Sequence, residues 1–397
     1  MSRLNPGRLA AARALLAVER GAHAEDILAQ VAPPQGADRG LAWHITLGAL
    51  RRQGALDQLL NGFLKRPIAT LDPQPRVALR IGAFESALSR TAPHAVVDQA
   101  VMLTRKLGAG RASGLVNAVL RKAVKAPFPN DPFLDLPPWL ARRWADVPDW
   151  VGRLRHPPVL SIATVDGAPP VGMDTSPSMA AGRVVPGVFT VGDPSGAVTD
   201  WPGFAAGRWW VMDAAAAVVA DLCLEGLPLG ARVLDACAAP GGKTFRLAAR
   251  GASVVSVDVD PVRCDRLKQG ADRLQFAASV REHDWLSGPM SGDERFDVVL
   301  VDAPCTGLGV VRRHPEIRWR RLPTDPAAMG LRQRPILQSA ACHVREGGRL
   351  VYAVCSPMKE EGEAVVASLS GWSVTRSWRS WPPEDEDAFQ AFVLERS

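Results

Sequence analysis

The sequence lacks the features of a membrane, secreted or zinc-binding protein. No uninterrupted apolar run approaches membrane-spanning length, and the first ten residues, MSRLNPGRLA, contain no apolar core of signal-peptide length. The six cysteines form no Cys-x-x-Cys pair and the histidines do not cluster, which argues against a disulfide framework and a zinc site. We therefore expect a cytoplasmic protein with free thiols, no metal and no membrane partner.

Two common nucleotide-binding patterns are also absent. Counting back from Gly242-Lys243, the first glycine of a phosphate-binding loop would stand where the sequence has Cys237. The Gly-x-Gly-x-x-Gly spacing of dinucleotide-binding proteins does not occur. These absences argue against a nucleoside triphosphate site and weaken the case for a dinucleotide.

One stretch nevertheless predicts a nucleotide-type cofactor site. The residues VLDACAAPGGKT (233–244) are typical of a buried strand that ends at Asp235 and continues into a glycine turn and a helix with free amides. Asp258 ends the next apolar run, 23 positions later (258 − 235), where an acidic residue usually binds the ribose hydroxyls. A strand, turn and helix without a ligand is the alternative for this stretch taken alone.

The formal net charge of +6 is unevenly distributed along the chain. Residues 1–128 hold 18 Lys+Arg and 8 Asp+Glu, a balance of +10, whereas the remaining residues hold 29 and 33, a balance of −4. A basic half of this kind favours binding to nucleic-acid phosphates. A solvated basic surface without a partner is the alternative.

Residues 1–128 predict an all-helical domain, because apolar residues recur there at the spacing of a helix face. Glycines and prolines divide the region into six or seven short helices. The clearest apolar stripes are Leu56, Leu59, Leu60, Phe63 and Leu64; Val77, Ile81, Phe84 and Leu88; and Val96, Ala100, Leu103 and Leu107.

The rest of the chain changes character twice. Residues 129–158 are rich in proline and tryptophan and predict a connector with one short helix. Residues 159–224 predict a small accessory lobe with strands, followed by an Ala-rich helix. Residues 225–397 alternate strand-like and helix-like runs, which predicts a doubly wound, mostly parallel sheet with a closing hairpin.

The residues that end the predicted strands should share one crevice, because ligands bind outside the carboxyl ends of parallel strands. A thiolate there could add to carbon 6 of a pyrimidine and make carbon 5 able to attack an electrophilic methyl group. A neighbouring aspartate could share a proton at nitrogen 3 of the ring. A cysteine that merely fills a strand end is the alternative. The strand-end residues are Asp235, Asp258, Asp284, Asp302, Cys305 and Cys355.

Several motifs resemble those of a known family. DACAAPGGKT, VDAPCTGLGVVRRHPEIRW and YAVCSPMKEEGE resemble the RsmB/Sun family of RNA cytosine-C5 methyltransferases. APHAVVDQAVMLTRKLG and ASGLVNAVLRKA resemble the last helices of a NusB-like RNA-binding domain, which marks the bacterial branch that acts on small-subunit (16S) rRNA. The resemblance implies an all-α NusB-like domain before a Rossmann-like S-adenosylmethionine-dependent methyltransferase domain with a mixed, mostly parallel seven-stranded sheet. We place the domains at 1–128, 129–158, 159–224 and 225–397.

The resemblance also implies roles for individual residues. Cys355 would attack the cytosine, Cys305 would help to release the product, and Asp302 would act beside them and near the methionine end of the cofactor. Asp258 would bind the ribose of S-adenosylmethionine and Asp284 would lie by its adenine. The remaining cofactor residues would be Cys237, Ala238, Ala239, Pro240, Gly241, Gly242 and Lys243. The residues on the RNA side would be Arg312, Arg313 and His314, whose alternative is an exposed basic loop.

The sequence departs from the family pattern at a few positions. Val354 stands where the family usually has Thr, Thr306 where it has Ser, and Gly362 where it has Asn. Residues 212–216 (MDAAA) replace a Gln-Asp-x-x-Ser stretch. None of these changes removes a catalytic group. An RNA-binding or ribosome-assembly factor with an inactive methyltransferase domain is the alternative function, and a small-molecule methyltransferase would leave the basic helical domain unexplained.

Overall fold

The computed structural model describes residues 3–89 and 91–397 and divides into two compact units. The helical unit comprises Met1–Pro157 and the segment Val311–Arg321. The α/β unit comprises Pro158–Val310 and Leu322–Ser397. A short stretch from the second half of the sequence therefore packs with the N-terminal helices. No helix within residues 3–89 and 91–397 is long and apolar enough to cross a membrane.

The N-terminal part of the helical unit is a bundle, as predicted. Its core contains most residues of the predicted apolar stripes, among them Leu56, Ile81 and Leu103, whereas Leu88 at the end of its stripe is exposed. Helices α5 and α6 begin with proline, which needs no hydrogen-bond partner for its nitrogen in the first turn. Residues 3–89 and 91–128 form seven α-helices: α1 Pro6–Val18, α2 Ala24–Val31, α3 Ala37–Arg51, α4 Gln53–Asn61, α5 Pro73–Leu88, α6 Pro93–Lys106 and α7 Ser113–Ala123.

The predicted connector also packs within the helical unit. Two short helices, α8 Pro138–Arg143 and α9 Pro148–Arg153, form where the sequence predicts one. Each begins with a proline in its first turn, which favours a helix start in a proline-rich stretch. Asp135 is buried beside them and accepts hydrogen bonds from Arg52 (2.9 Å), Arg155 (3.1 Å) and the Ala55 amide (3.1 Å).

The segment Val311–Arg321 is held in the helical unit by buried polar side chains. It contains the short helix α13, Ile317–Arg320. The Trp319 indole donates to the Leu50 carbonyl (2.8 Å). Arg318 is fully buried, and its guanidinium donates to the carbonyls of Val311 (3.0 Å), Asp135 (3.3 Å) and Leu154 (3.4 Å). This segment is therefore an integral part of the helical unit.

The α/β unit opens with a small antiparallel sheet, which agrees with the predicted strand-containing lobe. Its strand order is β2-β3-β1-β4. The strands are β1 Ser161–Thr164, β2 Thr175–Ala180, β3 Arg183–Val191 and β4 Trp209–Val211. The Ala-rich helix α10, Ala214–Leu224, follows, and Asp213 caps it by accepting from the Ala215 amide (2.8 Å).

The main sheet is seven-stranded and mostly parallel, as predicted. Its order is β10-β11-β9-β8-β5-β6-β7; only β11 is antiparallel to its neighbours. The central strand β8 is buried on both faces, which explains its unbroken apolar run. The elements are β5 Arg232–Asp235, α11 Gly242–Ala249, β6 Ser253–Asp258, α12 Pro261–Leu274, β7 Ser279–Glu282, β8 Phe296–Asp302, α14 Asp325–Ala341, β9 Val344–Val354, α15 Glu363–Val366, β10 Trp372–Arg379 and β11 Gln390–Arg396.

Candidate active site

The site lies at the carboxyl ends of four neighbouring parallel strands, β6, β5, β8 and β9. Asp258, Asp235 and Asp302 are the last residues of the first three strands, and Cys355 directly follows the fourth. Asp302 pairs in register with Ala353, two positions before Cys355. The predicted convergence of acidic and thiol side chains at one edge of the sheet is therefore present.

The glycine turn after β5 forms the floor of a cavity of about 190 Å³. Gly241 has φ +112°, and a Cβ there would lie 2.5 Å from the Phe245 ring, so the turn requires glycine. The helix α11 that follows has no side-chain cap, which leaves amides at its start free for a ligand. Seven predicted cofactor residues line the cavity: Cys237, Ala238, Ala239, Pro240, Gly242, Lys243 and Asp302.

Asp235, predicted only as a strand-end residue, also lines this cavity, together with four residues that were not predicted as site residues at all. The four are Val211, Met212, Asp213 and Ala216. They belong to the end of β4 and the start of α10, and three of them lie in the stretch that departs from the family pattern. The signal that could have found them is Asp213, an acidic cap directly before an apolar helix.

Asp235 is a buried acceptor at this cavity. One of its oxygens accepts from the Thr244 hydroxyl (2.8 Å), and no donor among the described residues reaches the other. Burial raises the pKa of Asp235 to about 7; the Thr244 hydrogen bond opposes the shift, and the charge of Asp302 adds to it. An unsatisfied oxygen on a cavity wall suits a ligand that carries hydrogen-bond donors.

Asp258 and Asp284 lie outside the set of residues that line the cavity. Asp258 is buried, and its oxygens accept from the amides of Ala239 and Asp260, each at 3.1 Å. Asp284 is exposed and caps a short 3-10 turn by accepting from the Leu286 amide (3.0 Å). Asp258 thus ties the glycine turn to the end of β6, while its role toward the ribose stays a prediction, like that of Asp284 toward adenine.

Lys243 and Asp302 form an ion pair next to the glycine turn. Lys243 Nζ lies 2.6 Å from Asp302 Oδ2 and 4.8 Å from the centre of the Phe389 ring. Burial alone would lower the pKa of Lys243, but Asp302 and the charges of Cys355 and Asp235 raise it above its usual value. The lysine is therefore a cation at neutral pH, placed among groups that can carry negative charge.

The two predicted catalytic thiols are in contact. Cys305 Sγ and Cys355 Sγ lie 3.2 Å apart, and both side chains are half-buried. The hydrogen bond with Cys355 and burial raise the pKa of Cys305 well above its usual range. The raised pKa favours the protonated form of Cys305, and either sulfur can be the donor in the contact between the two thiols. The Gly309 amide donates to the Cys355 carbonyl (3.0 Å) and so closes the loop around the pair.

The other cysteines differ from this pair. Burial and the nearby charge of Asp235 raise the pKa of Cys237 well above its usual range, so it is a neutral thiol in the cavity wall. Cys342 is exposed at the end of α14. All six cysteines carry free thiols.

Arg312, Arg313 and His314 lie in the helical unit, whereas the two thiols lie in the α/β unit. All three side chains are half-buried. Arg312 donates to the Pro157 carbonyl (3.1 Å), and its own carbonyl accepts from Arg51 (3.2 Å). These contacts show that Arg312 stabilises the helical unit. The RNA contact of the three residues stays a prediction.

Comparison with known proteins identifies the family. Residues 227–379 match the family described as 16S rRNA methyltransferase RsmB/F, and residues 5–125 match the NusB family. The chain is 38% identical to ribosomal RNA small subunit methyltransferase B of Thermus thermophilus over 91% of this chain and 86% of that protein. It is 34% identical to the protein of the same name from Xanthomonas campestris, covering 91% and 87%. The chain belongs to the RsmB/F methyltransferase family.

Solved structures support the same fold. The crystal structure of PH0851 superposes with a TM-score of 0.80 over 100% of both chains at 23% identity. A methyltransferase homologue from Pyrococcus horikoshii gives a TM-score of 0.53, covering 65% of this chain and 94% of that one at 20% identity. At these identities the likeness establishes the fold alone.

Members of the RsmB/F family depend on S-adenosylmethionine, and the residues of this chain fit that cofactor. The cavity offers the unsatisfied Asp235 oxygen, free amides at the start of α11 and a second carboxylate, Asp302. S-adenosylmethionine carries ribose hydroxyls and an amino group that donate, and a carboxylate that accepts. Both kinds of partner are therefore present in the wall.

Proposed function

We propose that this protein transfers a methyl group from S-adenosylmethionine to carbon 5 of a cytosine in small-subunit (16S) rRNA through a covalent cysteine adduct. The observation that carries the proposal is the pair of thiols, 3.2 Å apart. The ion pair of Lys243 and Asp302 lies at the same edge of the sheet, 2.6 Å between its charged atoms. The names of the relatives, small subunit methyltransferase B, support rRNA as the substrate.

The division of labour follows from the protonation of the two thiols. Because the contact with Cys355 and burial favour the protonated form of Cys305, Cys355 is assigned as the attacking thiol, in line with the family resemblance. Its sulfur adds to carbon 6 of cytosine, and the electron pair of the carbon 5–carbon 6 double bond makes carbon 5 nucleophilic. The bound cofactor supplies the electrophilic methyl group that carbon 5 attacks.

Asp302 is proposed to assist at the base. Its side chain is 26% exposed and already accepts from Lys243, so one carboxylate oxygen remains able to face a substrate. Addition at carbon 6 gathers negative charge at nitrogen 3 of the ring, and a proton from solvent that is relayed by Asp302 would neutralise that charge. Lys243 would keep Asp302 oriented while this happens.

Product release requires a base for the hydrogen left on carbon 5. The contact with Cys355 is the first reason why Cys305 keeps its proton in the free protein. Once Cys355 is bonded to carbon 6 it no longer carries charge, so that reason disappears and Cys305 can lose its proton to solvent. The Cys305 thiolate then takes the carbon 5 hydrogen, the double bond reforms, and Cys355 leaves as a thiolate.

Cofactor and RNA contacts complete the proposal. Asp258 is assigned to the ribose and Asp284 to the adenine, with the glycine-turn residues around the methionine part. The helical unit is assigned to RNA phosphates, since residues 1–128 carry a balance of +10. Arg312, Arg313 and His314 are assigned to the RNA side on the strength of the family resemblance.

The test is transfer of labelled methyl groups from S-adenosylmethionine to deproteinised 16S rRNA, followed by mass-spectrometric mapping of the product. We expect 5-methylcytosine at a defined position with the native protein. Cys342→Ser is the matched control, because that thiol is exposed on α14 and away from the strand ends. Tight rRNA binding without any methyl transfer would contradict the proposal and favour an assembly factor with an inactive methyltransferase domain.

A further inference from the structure

A buried carboxylate, Glu361, links the two loops that carry the reactive thiols. It is fully buried and accepts from the Thr306 amide (2.6 Å), the Thr306 hydroxyl (2.6 Å) and the Ser356 hydroxyl (2.5 Å). Thr306 directly follows Cys305, and Ser356 directly follows Cys355. We propose that Glu361 is a positioning residue that fixes the separation and orientation of the two thiols, an inference that rests on the proposed function.

A carboxylate suits this position because all three of its partners donate. The backbone amide of Thr306 can only donate, and both hydroxyls already direct their protons at Glu361. A glutamine would replace one acceptor oxygen with an NH2 group and leave a buried donor facing another donor. Glu361 is itself anchored, since its backbone carbonyl accepts from the Tyr352 hydroxyl on β9 (2.7 Å).

The neighbouring Gln390 completes the same support. From the start of β11 its amide group donates to the carbonyls of Ser356 (2.6 Å) and Met358 (3.1 Å). A Cβ on Gly362 would lie 2.6 Å from Gln390 Oε1, so the glutamine occupies the space that a side chain at 362 would need. Position 362 therefore requires a residue without a side chain as long as Gln390 occupies this place.

The network holds the two loops unequally. Glu361 makes two hydrogen bonds to Thr306, on the Cys305 side, and one to Ser356, on the Cys355 side. Loss of bonds on the Cys305 side should mainly slow product release. Loss of the bond on the Cys355 side should mainly slow the attack on carbon 6. A residue that only stabilised the fold would not separate these two steps.

The first test needs no RNA. Diamide oxidises two adjacent thiols to a disulfide and itself takes up the two electrons and two protons, at a rate that depends on how often the two sulfurs meet. In the whole protein, Glu361→Gln should slow formation of the Cys305–Cys355 disulfide by about tenfold, the effect of one lost charged hydrogen bond. The linked peptide is quantified by mass spectrometry. Glu363→Gln is the control, because that carboxylate pairs with Arg379 at the surface.

The outcome separates this inference from the proposed function. A parent-like disulfide rate in Glu361→Gln would overturn the positioning role even if the protein methylates RNA. A slowed rate would support the positioning role even if no methyl transfer to RNA were found. Thr306→Val loses one hydroxyl and keeps the shape of the side chain, so it should slow disulfide formation by about threefold. It replaces Glu361→Gln as the test variant if Glu361→Gln does not fold.

The second test uses methyl transfer. Thr306→Val should raise the steady-state fraction of covalent protein–RNA complex by about threefold to tenfold, because release is slowed more than attack. Ser356→Ala should instead slow adduct formation in a single turnover without accumulation of the complex. Both variants should bind S-adenosylmethionine like the parent. Equal loss of both steps in the two variants would show that the network only stabilises the fold.

Discussion

The two units of the protein use their charged side chains in opposite ways. In the helical unit, arginines form contacts within the unit itself. Arg80 pairs with Asp57 (2.8 Å), and Arg318 is fully buried and donates to backbone carbonyls. In the α/β unit, the charged groups at the strand ends keep capacity for a ligand, as the unsatisfied oxygen of Asp235 and the one-quarter exposed Asp302 illustrate. Net charge therefore does not identify which individual arginines remain available to a ligand, whereas position at the carboxyl end of a parallel strand identifies the carboxylates that do.

The largest effect should come from the nucleophile of the α/β unit. Cys355→Ser should lower methyl transfer by about a thousandfold or more, because a serine hydroxyl is not ionised at neutral pH and cannot replace the thiolate. S-adenosylmethionine affinity should be unchanged, as measured by calorimetry. Cys342→Ser should retain parent activity. Substantial turnover by Cys355→Ser would contradict the assignment of Cys355, at the end of β9, as the nucleophile.

The matching change in the helical unit should alter stability. Arg318→Met keeps an unbranched apolar stem but removes the donors of three buried carbonyls, so the free energy of unfolding should fall by about 2–4 kcal/mol. Arg20→Met, at an exposed position, should leave the free energy of unfolding unchanged within about 0.5 kcal/mol. Urea unfolding measures both. An equal, small effect of the two substitutions would show that the buried arginine does not hold the Val311–Arg321 segment.

Asp258 tests whether a buried strand-end carboxylate serves the cofactor. Its replacement by alanine should weaken S-adenosylmethionine binding by about tenfold or more, since a charged hydrogen bond contributes roughly 1.5–3 kcal/mol. Asp265→Asn, an exposed partner of Lys268 on α12, is the control. Calorimetry that finds unchanged affinity for Asp258→Ala would remove Asp258 from the site.

A smaller effect should appear in the pH dependence of stability. The pKa of Asp235 is raised to about 7, so between about pH 5 and pH 7 the folded protein retains a proton that the unfolded chain has lost. Stability should therefore fall as pH rises through this window, by about 2 kcal/mol from this residue. Asp235→Asn should lack this contribution to the pH dependence of the free energy of unfolding. Urea unfolding of both proteins at pH 5 and pH 8 measures the difference, and parallel pH profiles would contradict it.

The same comparison shows what sequence reasoning can reach. The helical bundle, the strand, turn and helix at the glycine turn, and the meeting of Cys305 with Cys355 follow from periodicity and from the rule for strand ends. Glu361 was not predicted as a site residue. Its partner Ser356 is 5 positions away along the chain, but its partner Thr306 is 55 positions away and meets it only in the folded protein. A sequence does not display which distant donors a carboxylate will meet.

The Arg-rich stretch at 311–321 illustrates a second limit. For Arg312, Arg313 and His314 the family resemblance predicts a place on the RNA side, with an exposed basic loop as the alternative. In the structure these three side chains are half-buried, Arg312 bonds to a backbone carbonyl, and the nearby Arg318 is fully buried. Periodicity carries no signal in so short a segment. Met212 and Asp213 were likewise missed as cavity residues, because they precede β5 by about twenty positions and reach the site only through the fold.

The central claim is a covalent intermediate that forms on Cys355 and is resolved by Cys305. The most direct test incubates Cys305→Ser with S-adenosylmethionine and deproteinised 16S rRNA, isolates any protein–RNA complex that survives denaturing gels, and maps the crosslinked residue by mass spectrometry. We predict a stable complex joined through Cys355 to a cytosine that already carries the new methyl group. Normal turnover by Cys305→Ser, together with a trapped complex in Cys355→Ser, would contradict the account by reversing the roles of the two thiols.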